Sequence, residues 1–464
     1  MNSGSAAKQG FGSSSYRGYV LGALLLAYIL NFVDRIMIGI LAEPIIDHFG
    51  LTDAQFGLLS GVAFAVFYSA LGIPIARLSE RVNRVYIIGT AILLWSLMTM
   101  LCGLASSFWM LFAFRLGVGI GEAGLTPPAN SLISDYFVPS ARTRALAIYT
   151  MGITLGSFLA SLFVGLTGAK VDWQQTFIIV GLAGIPVGLL ILFTVKEAPR
   201  GHTDPVHAGA TQAASLKSTL EELVRKPTFW IVTLGGTATA FVGYGMSNFS
   251  ISFLVRNFDI SVPNAALYYM APLALSGAAG TWLCGYLVGK FANGRNDFGL
   301  RLTAASLVIA AIGYIAAFNS TNKAMILPLL LLANFFHYWH MGPMYGSVGA
   351  VVSTRVRATA IAVLLFVINL IGYGLGPLFV GWLSDRFTAS KLVSTPGLDL
   401  ARCLGSGENL SVPHAAACDA ASAYGLRTSI TLTLFVFFLA ALMFALASLR
   451  FNKDAHDAAP SLDS

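Results

Sequence analysis

Runs of about twenty apolar residues recur along this chain, the length a helix needs to cross the hydrocarbon core of a bilayer. Twelve such runs lie near residues 19–41, 55–75, 85–104, 110–134, 145–166, 176–195, 229–254, 266–288, 300–318, 325–352, 359–383 and 426–449. In lipid each backbone amide must find its partner inside the protein, so spans like these fold as helices. Composition agrees: 56% of residues are hydrophobic and 11% charged, where soluble proteins carry about 25% charge. The predicted class is an all-α integral membrane protein of twelve transmembrane helices.

A polar interval divides the spans six and six. The predicted domains are an N-terminal six-helix bundle over 1–195, a linker over 196–226, and a C-terminal bundle over 227–464 with a long loop at 387–424. Residues 1–18 are Gly/Ser-rich without a small-residue cleavage site, so the first span is expected to be retained. His202 and His207 in the linker read as solvated, and residues 216–225 are expected to form a short amphipathic surface helix. Placing both termini in the cytoplasm puts nineteen Lys and Arg on that side and seven on the other, as the positive-inside rule favours. Topology therefore accounts for the net charge of +7, and nucleic acid is excluded as a partner. The expected location is a cell inner (plasma) membrane, crossed many times.

Against this apolar background four charges stand out. Asp34 and Arg35 lie in the first span, Arg115 and Glu122 in the fourth. A charge at bilayer depth costs at least about 2.5 kcal/mol and usually marks a transport path. Arg115 and Glu122 are seven residues apart, hence nearly on one helix face, whereas Arg35 is rotated about 100° from Asp34. A carboxylate caught between desolvation and an arginine makes a proton switch. Asp34 and Glu122 are the expected proton-coupling groups, with Arg115 and Arg35 as charge partners or contacts for an anionic head group. The alternative is a buried ionic lock without proton transfer.

Two segments repeat. Arg142-Thr-Arg144-Ala-Leu-Ala-Ile148 opens the fifth span and Arg355-Val-Arg357-Ala-Thr-Ala-Ile361 the eleventh, and Phe163-Val-Gly165 recurs as Phe379-Val-Gly381. Six spans thus look duplicated into twelve pseudo-symmetric ones. With the short basic loop Ala76-Arg77-Leu-Ser-Glu80-Arg81-Val-Asn83-Arg84, this plan resembles the major facilitator superfamily. That family's usual loop has Gly, Asp-Arg and Gly-Arg where this chain has Ala76, Glu80-Arg81 and Asn83-Arg84. The resemblance implies a gating role for Arg77, Glu80, Arg81 and Arg84. Asn31-Phe-Val-Asp34-Arg35, Arg115-Leu-Gly-Val-Gly119-Ile-Gly121-Glu122 and Gly381-Trp-Leu-Ser-Asp385-Arg386 are similar to the Spinster branch. It implies a fold in which spans one, four, seven and ten line a central cavity, and lipid-like amphiphiles as substrates.

Further polar groups within spans are candidates for lining that cavity: Asn31, Tyr244, Asn248, Asn334, His337, Tyr338, His340, Asn369 and Tyr373. Helix-to-helix packing is the alternative role for each. Phe56, Phe64 and Phe67 suggest an apolar lining suited to a head-and-tail molecule. Gly117, Gly119 and Gly121 suit close helix packing, and Pro127-Pro128 a kink. Cys403 and Cys418, both in the long loop, are expected to pair as a disulfide on the non-cytoplasmic side.

There is no phosphate-binding glycine loop, metal-ligand spacing or nucleophile triad, so no enzyme activity, metal or cofactor is expected. The expected function is secondary active transport by alternating access, driven by a proton gradient. The expected partners are membrane lipids and an amphipathic or anionic small molecule, with a monomer as the working unit. The alternatives are an organic-anion or drug transporter of the same fold, or a lipid sensor that does not transport.

Overall fold

The computed structural model describes residues 10–203, 221–292, 297–353, 356–395, 397–404 and 411–456. Among them every regular element is helical, and twelve helices are long and apolar enough to cross a membrane. They are α1 (Ser14–Ile40), α2 (Asp53–Ser79), α3 (Arg84–Cys102), α4 (Phe108–Tyr136), α5 (Pro139–Thr167), α6 (Trp173–Thr194), α7 (Pro227–Phe258), α8 (Val262–Phe291), α9 (Asp297–Asn319), α10 (Lys323–Val351), α11 (Thr359–Leu392) and α12 (Val412–Ala455). Lys8, His207, Lys217, Arg295 and Arg355, which entered the charge count, the linker or the repeat, lie outside the described residues. So does half of the expected surface helix, residues 216–220.

Local chemistry explains where these helices start. Asn83 caps α3 by accepting from Val85 N at 2.9 Å, Ser107 caps α4 and Asp172 caps α6. Thr52 and Gln55 form a reciprocal capping box at the start of α2, satisfying amides that have no partner within the helix. Helix α4 is interrupted at 123–125 and resumes with Pro127 and Pro128 in its first turn, where a missing N–H costs least. Single wide turns of π type occur in α2 at Leu58–Val62, in α8 at Ala266–Met270 and in α11 at Ile368–Tyr373.

The expected loop at 387–424 is largely helical. Helix α11 runs on to Leu392, a short helix covers Leu400–Leu404, and α12 begins at Val412. The Ala-rich stretch after His414 carries high helix propensity and extends the span beyond its apolar part. Cys403 and Cys418 are joined by a disulfide with Cα atoms 5.5 Å apart.

The chain divides into two compact units. One comprises Met1–Met37, Val66–Ala160 and Val171–Thr211; the other comprises Ile38–Ala65, Ser161–Lys170 and Gln212–Ser464. In the first unit, close helix approach depends on missing side chains. A Cβ at Gly121 would lie 2.7 Å from the backbone nitrogen of Trp95, and one at Gly156 would lie 2.6 Å from the carbonyl oxygen of Ile29. These glycines bring α4 against α3 and α5 against α1, as small residues do in membrane bundles.

In the second unit, Arg256 near the end of α7 ties several segments together. Its guanidinium donates twice to Asp53 at 2.9 Å and, from Nε, to both oxygens of Glu43 at 3.0 and 3.2 Å, and Ser384 donates to Asp53 at 2.6 Å. Asp385 on α11 accepts from the amides of Asp53 and Ala54 at 3.0 and 2.9 Å, a carboxylate placed at the positive end of α2. At the opposite end of α7, Asp454 accepts from the amide of Thr228 at 2.8 Å.

Candidate functional site

The four charges converge within the first unit, on α1 and α4. Arg115 Nη1 donates to Asp34 Oδ1 at 3.3 Å, while Thr99 on α3 donates its hydroxyl to Asp34 Oδ2. Arg35 Nη2 donates to Glu122 Oε2 at 2.7 Å and its Nε reaches the same oxygen at 3.2 Å. Adjacent residues on α1 thus take partners about two turns apart on α4, because 100° of rotation separates their side chains. Arg115 and Glu122 share a helix face, yet each is paired with α1 rather than with the other.

All four side chains are nearly sealed from solvent; the most accessible, Arg35, is 7% exposed. Two cations and two anions give the cluster no net charge, which is how a membrane interior tolerates them. The Arg35 guanidinium also lies 4.9 Å from the Phe32 ring centre and 4.7 Å from that of Tyr68, a cation–π contact on each. Asn31 is buried beside this group, and its Nδ2, like Glu122 Oε1, has no hydrogen-bond partner among the described residues. A carboxylate that gains a proton here loses its attraction for its arginine, so protonation and side-chain pairing are linked.

The polar candidates of the second half lie in the second unit and fall into two groups. On α10, Asn334 Oδ1 accepts from the Tyr314 hydroxyl at 3.0 Å and its Nδ2 donates to Leu273 O at 2.8 Å. His337 Nδ1 lies 3.4 Å from the same tyrosine oxygen, and His340 Nδ1 donates to His337 O at 2.7 Å. Tyr338 packs against Gly277 of α8. In the other group Asn248 and Asn369 donate to the carbonyls of Tyr244 and Leu365 in their own helices, and the rings of Tyr244 and Tyr373 meet edge-on at 4.4 Å. Phe56 and Phe64 are core residues, fully buried against Phe249 and Tyr373. Their aromaticity reflects packing rather than a lining; Phe67 is exposed.

Around the turn that joins α2 to α3, Arg77 at the end of α2 and Glu80 and Arg81 in the turn are exposed, but Arg84 at the start of α3 is completely buried. Its guanidinium donates to Glu197 Oε1 at 2.6 Å, Ser131 Oγ at 2.9 Å, Ala198 O at 2.7 Å and the carboxylate of Asp135.

Residues 24–372 match the family model described as Major Facilitator Superfamily. The chain belongs to the major facilitator superfamily. It is 41% identical to a bacterial homologue of the human lysosomal transporter Spinster, whose inward-facing, unoccupied crystal structure superposes with a TM-score of 0.87 over 96% of this chain and 99% of that one. It is 26% identical to protein spinster homolog 1 of Xenopus laevis, over 82% of this chain and 76% of that protein. An MFS-type efflux pump of Mycolicibacterium smegmatis is 30% identical over 79% of this chain and 84% of the pump. This facilitator is therefore of Spinster type: a multi-pass membrane transporter working by alternating access, and not an enzyme.

For a facilitator of this type, sequence reading missed several partners of its charged residues. Thr99 and Tyr68, which touch Asp34 and Arg35, carry no motif. Asp135 and Glu197 lie 51 and 113 residues from Arg84. Arg256 read as one more loop cation. Its one available signal was its place at a helix end, with Glu43 and Asp53 flanking the loop between the first two spans.

Proposed function

We propose that this transporter is proton-coupled and that it moves an amphipathic, lipid-like or organic anionic molecule. The observation that carries the coupling is the neutral, buried quartet of Asp34, Arg35, Arg115 and Glu122 in otherwise apolar helices. A proton on Glu122 frees Arg35, and a proton on Asp34 frees Arg115. Either freed guanidinium is then available to an anionic head group, and deprotonation restores the pairs. A proton or substrate biases alternating access by its differential affinity for the two states.

The likeness to Spinster proteins supports the amphiphilic substrate class. The excess of Lys and Arg on one side supports cytoplasmic termini, and the compact loops support an inner (plasma) membrane location. In this reading one chain suffices, membrane lipid is its surrounding partner, and the proton gradient replaces any cofactor.

The test is transport of a fluorescent lysophospholipid in proteoliposomes, by counterflow and under an imposed pH gradient. Counterflow in the wild type, stimulated by the gradient and abolished by a protonophore, is expected. Asp34→Asn and Glu122→Gln should lose the stimulation. Gradient-driven transport intact in both variants would sink the coupling. Binding without exchange would mean a lipid sensor. A second reading, export of organic anions or drugs, is favoured by the likeness to the mycobacterial efflux pump; it predicts movement of an anionic dye and none of the lipid.

A further inference from the structure

We infer that Thr99 is a positioning residue for the proton-coupling carboxylate Asp34, holding Oδ2 as the oxygen that receives the proton. This rests on the coupling reading proposed above.

Threonine inside a helix ordinarily turns its hydroxyl back to a carbonyl of the preceding turn. Thr90, Thr176, Thr233, Thr237, Thr239 and Thr303 all do so here, at 2.6 to 3.0 Å. Thr99 instead donates across from α3 to Asp34 Oδ2 on α1, in a site with no solvent exposure. The two oxygens of Asp34 therefore face different chemistry. Oδ1 accepts from Arg115, a guanidinium that only donates, whereas Oδ2 faces a hydroxyl. A hydroxyl can rotate and accept, so a proton arriving on Oδ2 keeps a hydrogen-bond partner, and one on Oδ1 does not.

The other groups within electrostatic reach of Asp34 are Arg35 on α1, Cys102 on α3 and Glu122 on α4. None of them offers both a donor and an acceptor to Oδ2 in the observed pairing. The hydroxyl is thus the element that lets Asp34 change protonation without leaving a buried polar atom bare.

Infrared difference spectroscopy of reconstituted protein between acid and alkaline pH tests this without a transported substrate. The carbonyl band of protonated Asp34 is assigned by its loss in Asp34→Asn. In Thr99→Val that band should move to higher frequency, because the acid has lost its partner, and Thr99→Ser should restore the wild-type band. The titration midpoint should rise by roughly half a unit to one unit in Thr99→Val, since donation to a charged oxygen is worth more than donation to a neutral one. A band and midpoint identical to wild type in Thr99→Val would reduce Thr99 to a packing residue while leaving Asp34 as a coupling group. If Asp34→Asn removes no titrating band at all, the coupling role of Asp34 falls, and that of Thr99 with it. Should Thr99→Val fail to accumulate, Thr99→Ala compared with Thr99→Ser gives the same two readouts.

Discussion

Arg35 and Glu122 meet at 2.7 Å across the interface of α1 and α4, with the side chains only 6% and 0% exposed. Removing one member strands the other in an apolar interior. Arg35→Leu should therefore destabilise the protein by about 3–5 kcal/mol. The double variant Arg35→Leu/Glu122→Leu should recover most of that loss. Thermal unfolding of the solubilised protein measures both; a double variant no better than the single would show that the pair is not self-contained.

The cage around Arg84 makes a different demand. Four acceptors from two separate parts of the chain converge on one planar fork, and a lysine ammonium lacks both the reach and the shape to serve them together. Arg84→Lys should lose roughly 2–4 kcal/mol despite keeping the charge, most of what Arg84→Ala loses. A lysine variant that melts like wild type would contradict this.

Asp47, on the short helix Ala42–Phe49, provides a pH signature. Partial desolvation, then the nearby carboxylates of Glu43 and Asp419, push its carboxyl above the usual range, against the opposing pull of Arg256. Between the ordinary value and this raised one, the folded protein holds a proton that the unfolded chain has released. Stability therefore falls as pH rises through that window. Asp47→Asn should raise Tm at neutral pH and leave it unchanged well below the carboxylate range; equal melting curves at every pH would refute the assignment.

The bond between Cys403 and Cys418 closes a segment of 15 residues. Loop-closure entropy assigns such a link about 3 kcal/mol. Reductant, or Cys403→Ser, should lower Tm, and alkylation before and after reduction should count two additional thiols. The buried Cys102 and Cys284 should react only on unfolding.

The twelve spans were legible because bilayer thickness imposes a length on apolar runs, and the four intramembrane charges because the surrounding helices are so apolar. Which arginine meets which carboxylate was not legible. Sharing a face of α4 made Arg115 and Glu122 look like neighbours, but the mutual rotation of α1 and α4 decides that Arg115 meets Asp34 and Arg35 meets Glu122. Hydropathy ends a span where polar residues begin, and so it missed the helix that continues through the Ala-rich start of α12. Phe56 and Phe64 misled for a related reason: a hydropathy pattern cannot tell a side chain facing a cavity from one facing its own core.

Gly121 immediately precedes Glu122, and the space for its missing carbon is already taken by the backbone of Trp95. A methyl group at this position would pry α4 from α3 and carry the adjoining carboxylate with it. The reach of the most chemically conspicuous acid in the chain is thus set by a single hydrogen atom one residue away. Variation that alters the behaviour of this protein therefore need not touch a charge at all.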